Sequence, residues 1–139
     1  MPDILGSLHR MTLHFSLNEF YETRNHKDLE PANRNCFLYN ARFIVRATLI
    51  AVMLEKIRYF FGHPIRITSG YRFTDLNKAV GGVANSDHKM MKAVDIAPID
   101  LSDMLDLVHA VKMFSELNPT KIRYKEIHPD YIHLSFNIM

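Results

Sequence analysis

Apolar residues recur three and four positions apart over a long central stretch of the chain, which is the spacing of one face of an α-helix. The pattern covers residues 35–61, and Gly62 stands where a helix commonly ends with a residue of positive φ. Because many of its other positions are apolar too, we expect this helix to be buried around much of its circumference. The pattern therefore predicts one long buried helix at the centre of the fold.

Two shorter segments also have helical patterns. Ser16 and Glu19 are spaced as in a capping box, in which each side chain binds the backbone N–H of the other residue. A short helix is expected to begin there. Another helix is predicted to follow a cap at Asp100 or Ser102 and to run to about Leu117.

Four segments have the alternation or the β-branched content of half-buried strands. They are residues 64–68, 93–97, 121–125 and 131–136, and the last two are joined by the turn 128–130. The sequence contains no internal repeat. Together the elements predict an α+β fold, with a small antiparallel sheet packed against helices.

The length of 139 residues fits a single domain. We predict that this domain covers residues 13–139 and that residues 1–12 form a loose N-terminal extension. The formal charge is only +2, and lysine and arginine are scattered along the chain. Without a basic stripe, nucleic acid is not an expected partner.

The cysteine content limits the possible metal ligands, and the length of the apolar runs bears on membrane insertion. Cys36 is the one cysteine, so no intramolecular disulfide can form and a metal site must be built from histidine and carboxylate. Apolar runs such as residues 49–54 are far shorter than the ~20 residues of a membrane span, and the N-terminus lacks the pattern of a signal peptide. We expect a protein made in the cytoplasm that does not insert into a membrane.

His88, Asp95 and His133 are the candidate metal ligands. Structural zinc usually has four protein ligands, whereas catalytic zinc has about three and keeps a position open for water, which becomes acidic enough to give hydroxide near neutral pH. Two imidazoles and one carboxylate therefore suit a catalytic ion. The eight histidines of the chain make a chance spacing of this kind common, so the surrounding motifs carry the argument.

These ligands stand within a longer series of motifs. Ile-x-Ile-Thr-Ser-Gly-Tyr-Arg occupies residues 65–72, Ser-x-His with an aspartate seven residues after the histidine occupies residues 86–95, and Tyr-Ile-His-Leu-Ser occupies residues 131–135. Over residues 13–136 the series resembles the D-alanyl-D-alanine-type zinc peptidases, peptidase M15, and in particular their short phage-type branch. That family contains cell-wall carboxypeptidases, vancomycin-resistance dipeptidases and phage endolysins. The resemblance implies a Hedgehog/DD-peptidase-like fold with one Zn²⁺ per chain.

The resemblance also implies catalytic roles. Arg72 corresponds to an arginine that faces the site, where a guanidinium can hold the oxyanion that forms from the scissile carbonyl. A positioned group, for which a carboxylate is well suited, must move a proton from water to the leaving amine. Asp130, three residues before His133, is the first candidate; Glu126 is the second, and His128 is the third.

Ser86, Tyr71 and Tyr131 are the candidate substrate contacts, although Ser86 could equally cap its loop. The sequence departs from the family pattern at two positions. Met91 stands where the family usually has glycine, and Tyr131 stands where it usually has tryptophan. The first change bears on the loop between His88 and Asp95; the second still provides an aromatic wall.

The resemblance implies a monomeric zinc metallopeptidase that hydrolyses alanine-containing bonds in the stem peptides of bacterial peptidoglycan. The sequence leaves open whether it removes a terminal residue or opens a cross-link. A short chain of this kind resembles a phage lysis or entry enzyme, which reaches the wall after release or as part of the virion. The alternative is a wall-binding or assembly protein that keeps the metal-binding fold without turnover.

Overall fold

A computed structural model describes residues 10–139. Residues 1–9, which make up most of the predicted extension, lie outside the described residues. The described part contains four α-helices, α1 (Glu30–Leu38), α2 (Ala41–Phe61), α3 (Thr74–Ala79) and α4 (Met104–Leu117). Its four strands are β1 (Ile65–Ser69), β2 (Ala93–Pro98), β3 (Ile122–Ile127) and β4 (Ile132–Phe136). Short 3₁₀ helices cover Leu17–Phe20, Lys27–Leu29, Asp87–Met90 and Leu101–Asp103.

The strands form one antiparallel sheet in the order β1-β2-β4-β3. Alternate residues of β2 and β4, among them Val94 and Ile132, share one buried cluster with side chains of α2 and α4, such as Leu54 and Phe114. One face of the sheet therefore packs on the helical core, and the side chains of the other face point away from that core. This arrangement confirms the predicted α+β fold.

The prediction of one continuous helix over residues 35–61 is wrong. The chain forms α1 and α2, which are bent by 97° at a break between them. Asn40 has extended backbone angles there, and its side chain accepts a hydrogen bond from the Arg42 N–H at 3.0 Å, which caps α2. The predicted end of the helix is confirmed, since Gly62 has a φ of 80°.

Among the described residues, no single helix has both the length and the apolar character of a membrane span. The bent pair Lys27–Leu38 and Ala41–Phe61 meets both criteria only when its two parts are taken together.

Glu55 on α2 binds the segment that precedes the first short helix. Its carboxylate accepts hydrogen bonds from the Thr12 hydroxyl and from the His14 backbone N–H, both at 2.7 Å, and pairs with the His14 ring at 2.7 Å. Burial raises the pKa of Glu55, but these hydrogen bonds outweigh it and hold the pKa below its usual value. Residues 12–14 are thereby attached to the long helix.

Replacing Glu55 with glutamine should lower the free energy of unfolding by about 1 kcal/mol near neutral pH, because hydrogen bonds to an ionised carboxylate are lost. A lowered folded-state pKa gives stability that is present above the unfolded pKa of about 4.3 and is lost as the pH falls through the folded value. Urea unfolding at neutral and acid pH measures the difference in free energy of unfolding between the wild type and the variant. Glu116→Gln, on the exposed side of α4, is the control. If this difference does not become smaller in acid, the ionised Glu55 carboxylate is not the source of the stability.

Candidate metal centre and active site

Four polar residues, one from each strand, lie side by side across the sheet. Ser69 pairs with Asp95, Asp95 with His133, and His133 with Glu126. Directly paired residues of antiparallel strands have their side chains on the same face. The row therefore stands on the face opposite the helical core, and it brings two of the three predicted metal ligands together.

The third predicted ligand, His88, reaches this row from a loop. It lies in the 3₁₀ helix Asp87–Met90, which Ser86 caps by accepting a hydrogen bond from the His88 backbone N–H at 3.2 Å. The His88 carbonyl in turn accepts the Arg72 N–H at 3.1 Å. These bonds hold the loop against the chain that follows β1, and His88 is buried.

Donor atoms of His88, Asp95 and His133 all lie within 4.8 Å of one another. The Asp95 Oδ1 atom is 3.2 Å from His88 Nε2 and 2.9 Å from His133 Nδ1. Two ligands that form bonds of ~2 Å to one tetrahedral ion stand about 3.3 Å apart. The donor set and its spacing therefore fit a single zinc ion.

The second nitrogen of each imidazole has its own partner. His88 Nδ1 donates to the Gly70 carbonyl at 2.7 Å, and His133 Nε2 lies 2.9 Å from the Ser135 hydroxyl. Such outer partners set the tautomer and the ring orientation of metal-binding histidines. With these nitrogens engaged, His88 Nε2 and His133 Nδ1 are the atoms that face Asp95.

Asp95 is the electrostatic centre of the site. Burial raises its pKa, but hydrogen bonds with His133 and His88 and their charges outweigh this effect and hold the pKa well below its usual range. Arg72 Nη2 lies 3.3 Å from Asp95 Oδ2, while Arg72 Nε donates to the Ser69 hydroxyl at 2.9 Å. Burial lowers the pKa of Arg72, and the Asp95 charge counters that effect. The guanidinium of Arg72 thus stands beside the ionised Asp95 carboxylate of the cluster.

A cavity of about 520 Å³ opens over the cluster. Residues 80–88 form one wall, and β3 with the turn that follows it forms the other. Of the predicted site residues outside the ligand set, the cavity is lined by Arg72, Ser86, Glu126, His128 and Tyr131. Ser86 therefore both caps its loop and faces the cavity.

Glu126 lies beside His133 and is held from two sides. The Tyr124 hydroxyl donates to one carboxylate oxygen at 2.5 Å, and His128 Nε2 lies 2.7 Å from the other. The His128 ring stacks on Tyr131 with 4.2 Å between ring centroids. The hydrogen bond from Tyr124 lowers the pKa of Glu126, and the charges of His128 and His133 act in the same direction.

Asp130, the first candidate for the proton carrier, is not brought to the cavity. Ile127 pairs with Ile132, so residues 128–131 form the turn, and Asp130 is exposed within it. The same pairing places Glu126 directly opposite His133. A carboxylate before the turn therefore reaches the site, whereas one inside the turn does not.

Tyr71 is not brought to the cavity either. It is buried, with its ring 4.8 Å from that of Phe43 and 5.8 Å from that of Phe37. Burial raises its pKa to about 12. The Tyr71 ring thus packs in the core and anchors the chain next to Arg72, and Tyr71 also borders a smaller depression beside the cavity.

Four partners within the site were not predicted from the sequence. They orient or hold the residues named above, and they are Ser69, Asn77, Tyr124 and Ser135. Strand alternation was the available signal for Ser135 and Tyr124, because each lies two residues from a site residue on its own strand and so shares its face. Asn77 had no comparable signal, since it lies on α3.

Met91, at which the sequence departs from the resemblance described above, has a φ of 53° and a fully buried side chain. A side chain in this left-handed conformation costs roughly 1–2 kcal/mol, whereas burial of a methionine contributes about 2–5 kcal/mol. We therefore expect Met91→Ala to have the lowest free energy of unfolding in urea among the wild type, Met91→Ala and Met91→Gly. Met91→Gly should be intermediate, about 1 kcal/mol above alanine, because glycine relieves the backbone. If the alanine and glycine variants are equally stable, the positive φ at position 91 does not strain the backbone.

Comparison with known proteins identifies the family of the chain. The family model described as Peptidase M15 matches residues 14–135, which include every residue of the site. No curated protein and no solved structure matches the chain. The match covers most of the 139 residues and confirms the resemblance found in the motifs. The chain therefore belongs to the peptidase M15 family.

Proposed function

We propose that the chain is a zinc-dependent peptidase that hydrolyses alanine-containing peptide bonds of bacterial peptidoglycan. The observation that carries the proposal is the convergence of His88, Asp95 and His133, with Glu126 next in the row, inside a cavity of a chain from a peptidase family. Three protein ligands, and not four, suit an ion that takes part in chemistry.

The chemistry supplied by bound zinc is that of a Lewis acid, which makes water more acidic and polarises carbonyl oxygens. Glu126 is ionised at neutral pH, so it can accept a proton from the attacking water and pass it to the leaving amine nitrogen. Arg72 is held in place by Ser69 and Asp95, and its guanidinium stabilises negative charge on the carbonyl oxygen. Tyr131 and Ser86 border the space for the substrate.

The proposal extends to the setting of the protein. We propose that it acts as a monomer on peptidoglycan stem peptides, reaching the wall after release from the cell or as part of a phage particle. The mixed charges of the site support a peptide partner better than a nucleic acid, which requires a basic surface.

Metal removal tests the proposal. The purified protein should contain about one zinc per chain and should release peptide fragments from peptidoglycan. Dialysis against a chelator should abolish release and lower Tm by about 8–10 °C, since a ligand at 100 times its Kd contributes about 2.7 kcal/mol. Zinc should restore both, and magnesium should restore neither. Bound zinc without any fragment release would leave only a wall-binding role, and an unchanged Tm without zinc would exclude the metal site.

A further inference from the structure

A second and larger cleft, of about 730 Å³, lies along β1. The sheet order leaves β1 at an edge. Residues 64–68, which are consecutive in the chain, line one side of the cleft, and residues between Glu19 and Lys27 line the other. Within residues 10–139, no backbone hydrogen bond joins residues 64–69 to a segment other than β2. The cleft thus runs beside an open strand edge.

This cleft adjoins the metal centre. A smaller depression of about 160 Å³ shares Arg24 and Thr68 with the edge cleft and shares Arg72 and Val80 with the metal-site cavity. The edge cleft lies along β1, and the smaller depression lies between that cleft and the metal-site cavity, where the Tyr71 N–H bonds the Phe20 carbonyl at 2.7 Å. We call this series of neighbouring hollows the edge groove.

We propose that the edge groove binds an extended arm of the peptide substrate, which pairs with β1 as an added strand and delivers the scissile bond to the metal centre. This inference rests on the proposed peptidase function and adds a substrate class to it. Strand addition at a free edge is a general mode of peptide recognition, in which backbone hydrogen bonds provide affinity. β1 has five residues, so its edge is about 17 Å long and can pair with roughly five residues of peptide.

The charges of the groove fit a peptide that carries both signs. Its walls contain Glu19 and Glu22 together with Arg24, Lys27 and Arg66. A polyanion such as a phosphate-bearing polymer would meet the two carboxylates, whereas a peptide with carboxylate and amino groups can pair with both kinds of side chain. A substrate with only one or two residues on each side of the bond would leave the groove empty. The edge groove therefore indicates a substrate with an arm of several residues on one side of the scissile bond, and the side is read from the length series below.

Substrate length is the first test. Two series of synthetic stem-type peptides with the same alanine-containing scissile bond are lengthened one residue at a time, one on the amino side and the other on the carboxyl side. In one series, kcat/KM should rise at least tenfold over about five residues and then level off. N-methylation of alternate peptide bonds in the longest peptide should remove the gain. Cleavage of the shortest peptide with no rise in either series would overturn the proposal and leave the peptidase function intact.

A variant pair tests the position of the groove. Arg24 and Arg42 are both exposed arginines, but only Arg24 lines the groove. Arg24→Ala should lower the ratio of kcat/KM for the longest peptide to that for the shortest by about threefold or more. Arg42→Ala should leave the ratio unchanged. Equal ratios for the two variants would place the arm elsewhere and overturn the proposal.

Amide hydrogen exchange provides a test that does not depend on turnover. In the Glu126→Gln protein, the longest peptide should slow exchange at alternate amides of β1 at least tenfold. Slowed exchange in a wild-type protein that cleaves no peptide would support the groove while removing the peptidase function. The decisive amides are those of β1 that are not hydrogen-bonded to β2. If these amides are already protected without peptide and do not respond to it, another segment of the chain fills the groove, and the proposal is overturned.

Discussion

Replacing Asp95 with asparagine is expected to reduce bound zinc from about one ion per chain to less than a tenth and to lower turnover by at least ~10³-fold. Asp95 is the one anionic ligand and lies between the two imidazoles. An amide keeps the volume and an acceptor for Arg72 but removes the charge that holds the cation. The Lewis-acid contribution that disappears is worth several kcal/mol, at about 1.4 kcal/mol for each factor of ten.

Elemental analysis and peptide-release assays measure both effects in the same preparation. Asp106→Asn, on an exposed position of α4, is the matched control and should change neither. Circular dichroism shows whether the Asp95 variant is folded, which separates loss of the ion from loss of the fold. Full zinc content in a folded Asp95→Asn protein would exclude Asp95 as a ligand.

Replacing Glu126 with glutamine is expected to lower kcat by about 10²–10⁴-fold, the usual contribution of a positioned proton carrier. The amide can still accept hydrogen bonds from Tyr124 but cannot take a proton. Because Glu126 is not among the clustered donors, the zinc content should not change. Steady-state kinetics with elemental analysis therefore separates proton transfer from metal binding.

Asp130→Asn is the informative control, because Asp130 carries the same charge but lies in the exposed turn. We expect its kcat to stay within about threefold of the wild type, as for other surface substitutions away from the site. The opposite pattern, with a large loss for Asp130 and little loss for Glu126, would reassign the proton carrier and would require the turn to close over the cavity.

Much of the fold follows from periodicity, because burial of one face imposes a period on each element. The break between α1 and α2 was missed because the apolar spacing continues through Phe37, Ala41 and Ile44, and neither glycine nor proline marks it. Asn40 was the available signal, since asparagine is a common helix cap. A local cap can thus turn the chain while the apolar pattern continues.

The metal cluster could be predicted because its residues stand in recognisable motifs, whereas the surrounding site depended on pairing. Asp130 is closer to His133 in sequence than Glu126 is, but hairpin register decides which carboxylate lies beside the histidine. Tyr71 and Arg72 are neighbours in one motif, yet successive side chains of an extended chain point in opposite directions. The tyrosine therefore enters the core while the arginine faces the site.

The sheet order has a consequence for how activity arises during folding. β4, the last strand in sequence, is inserted between β2 and β3, and the contact between Asp95 and His133 spans 38 residues. Such non-local pairing carries a loop-closure cost that the local contacts of a helix do not, and it forms more slowly. Partly folded chains that contain the helices but not the docked C-terminal hairpin therefore lack the assembled cluster of His88, Asp95 and His133. The cluster is complete only when the C-terminal hairpin of β3 and β4 has paired with β2.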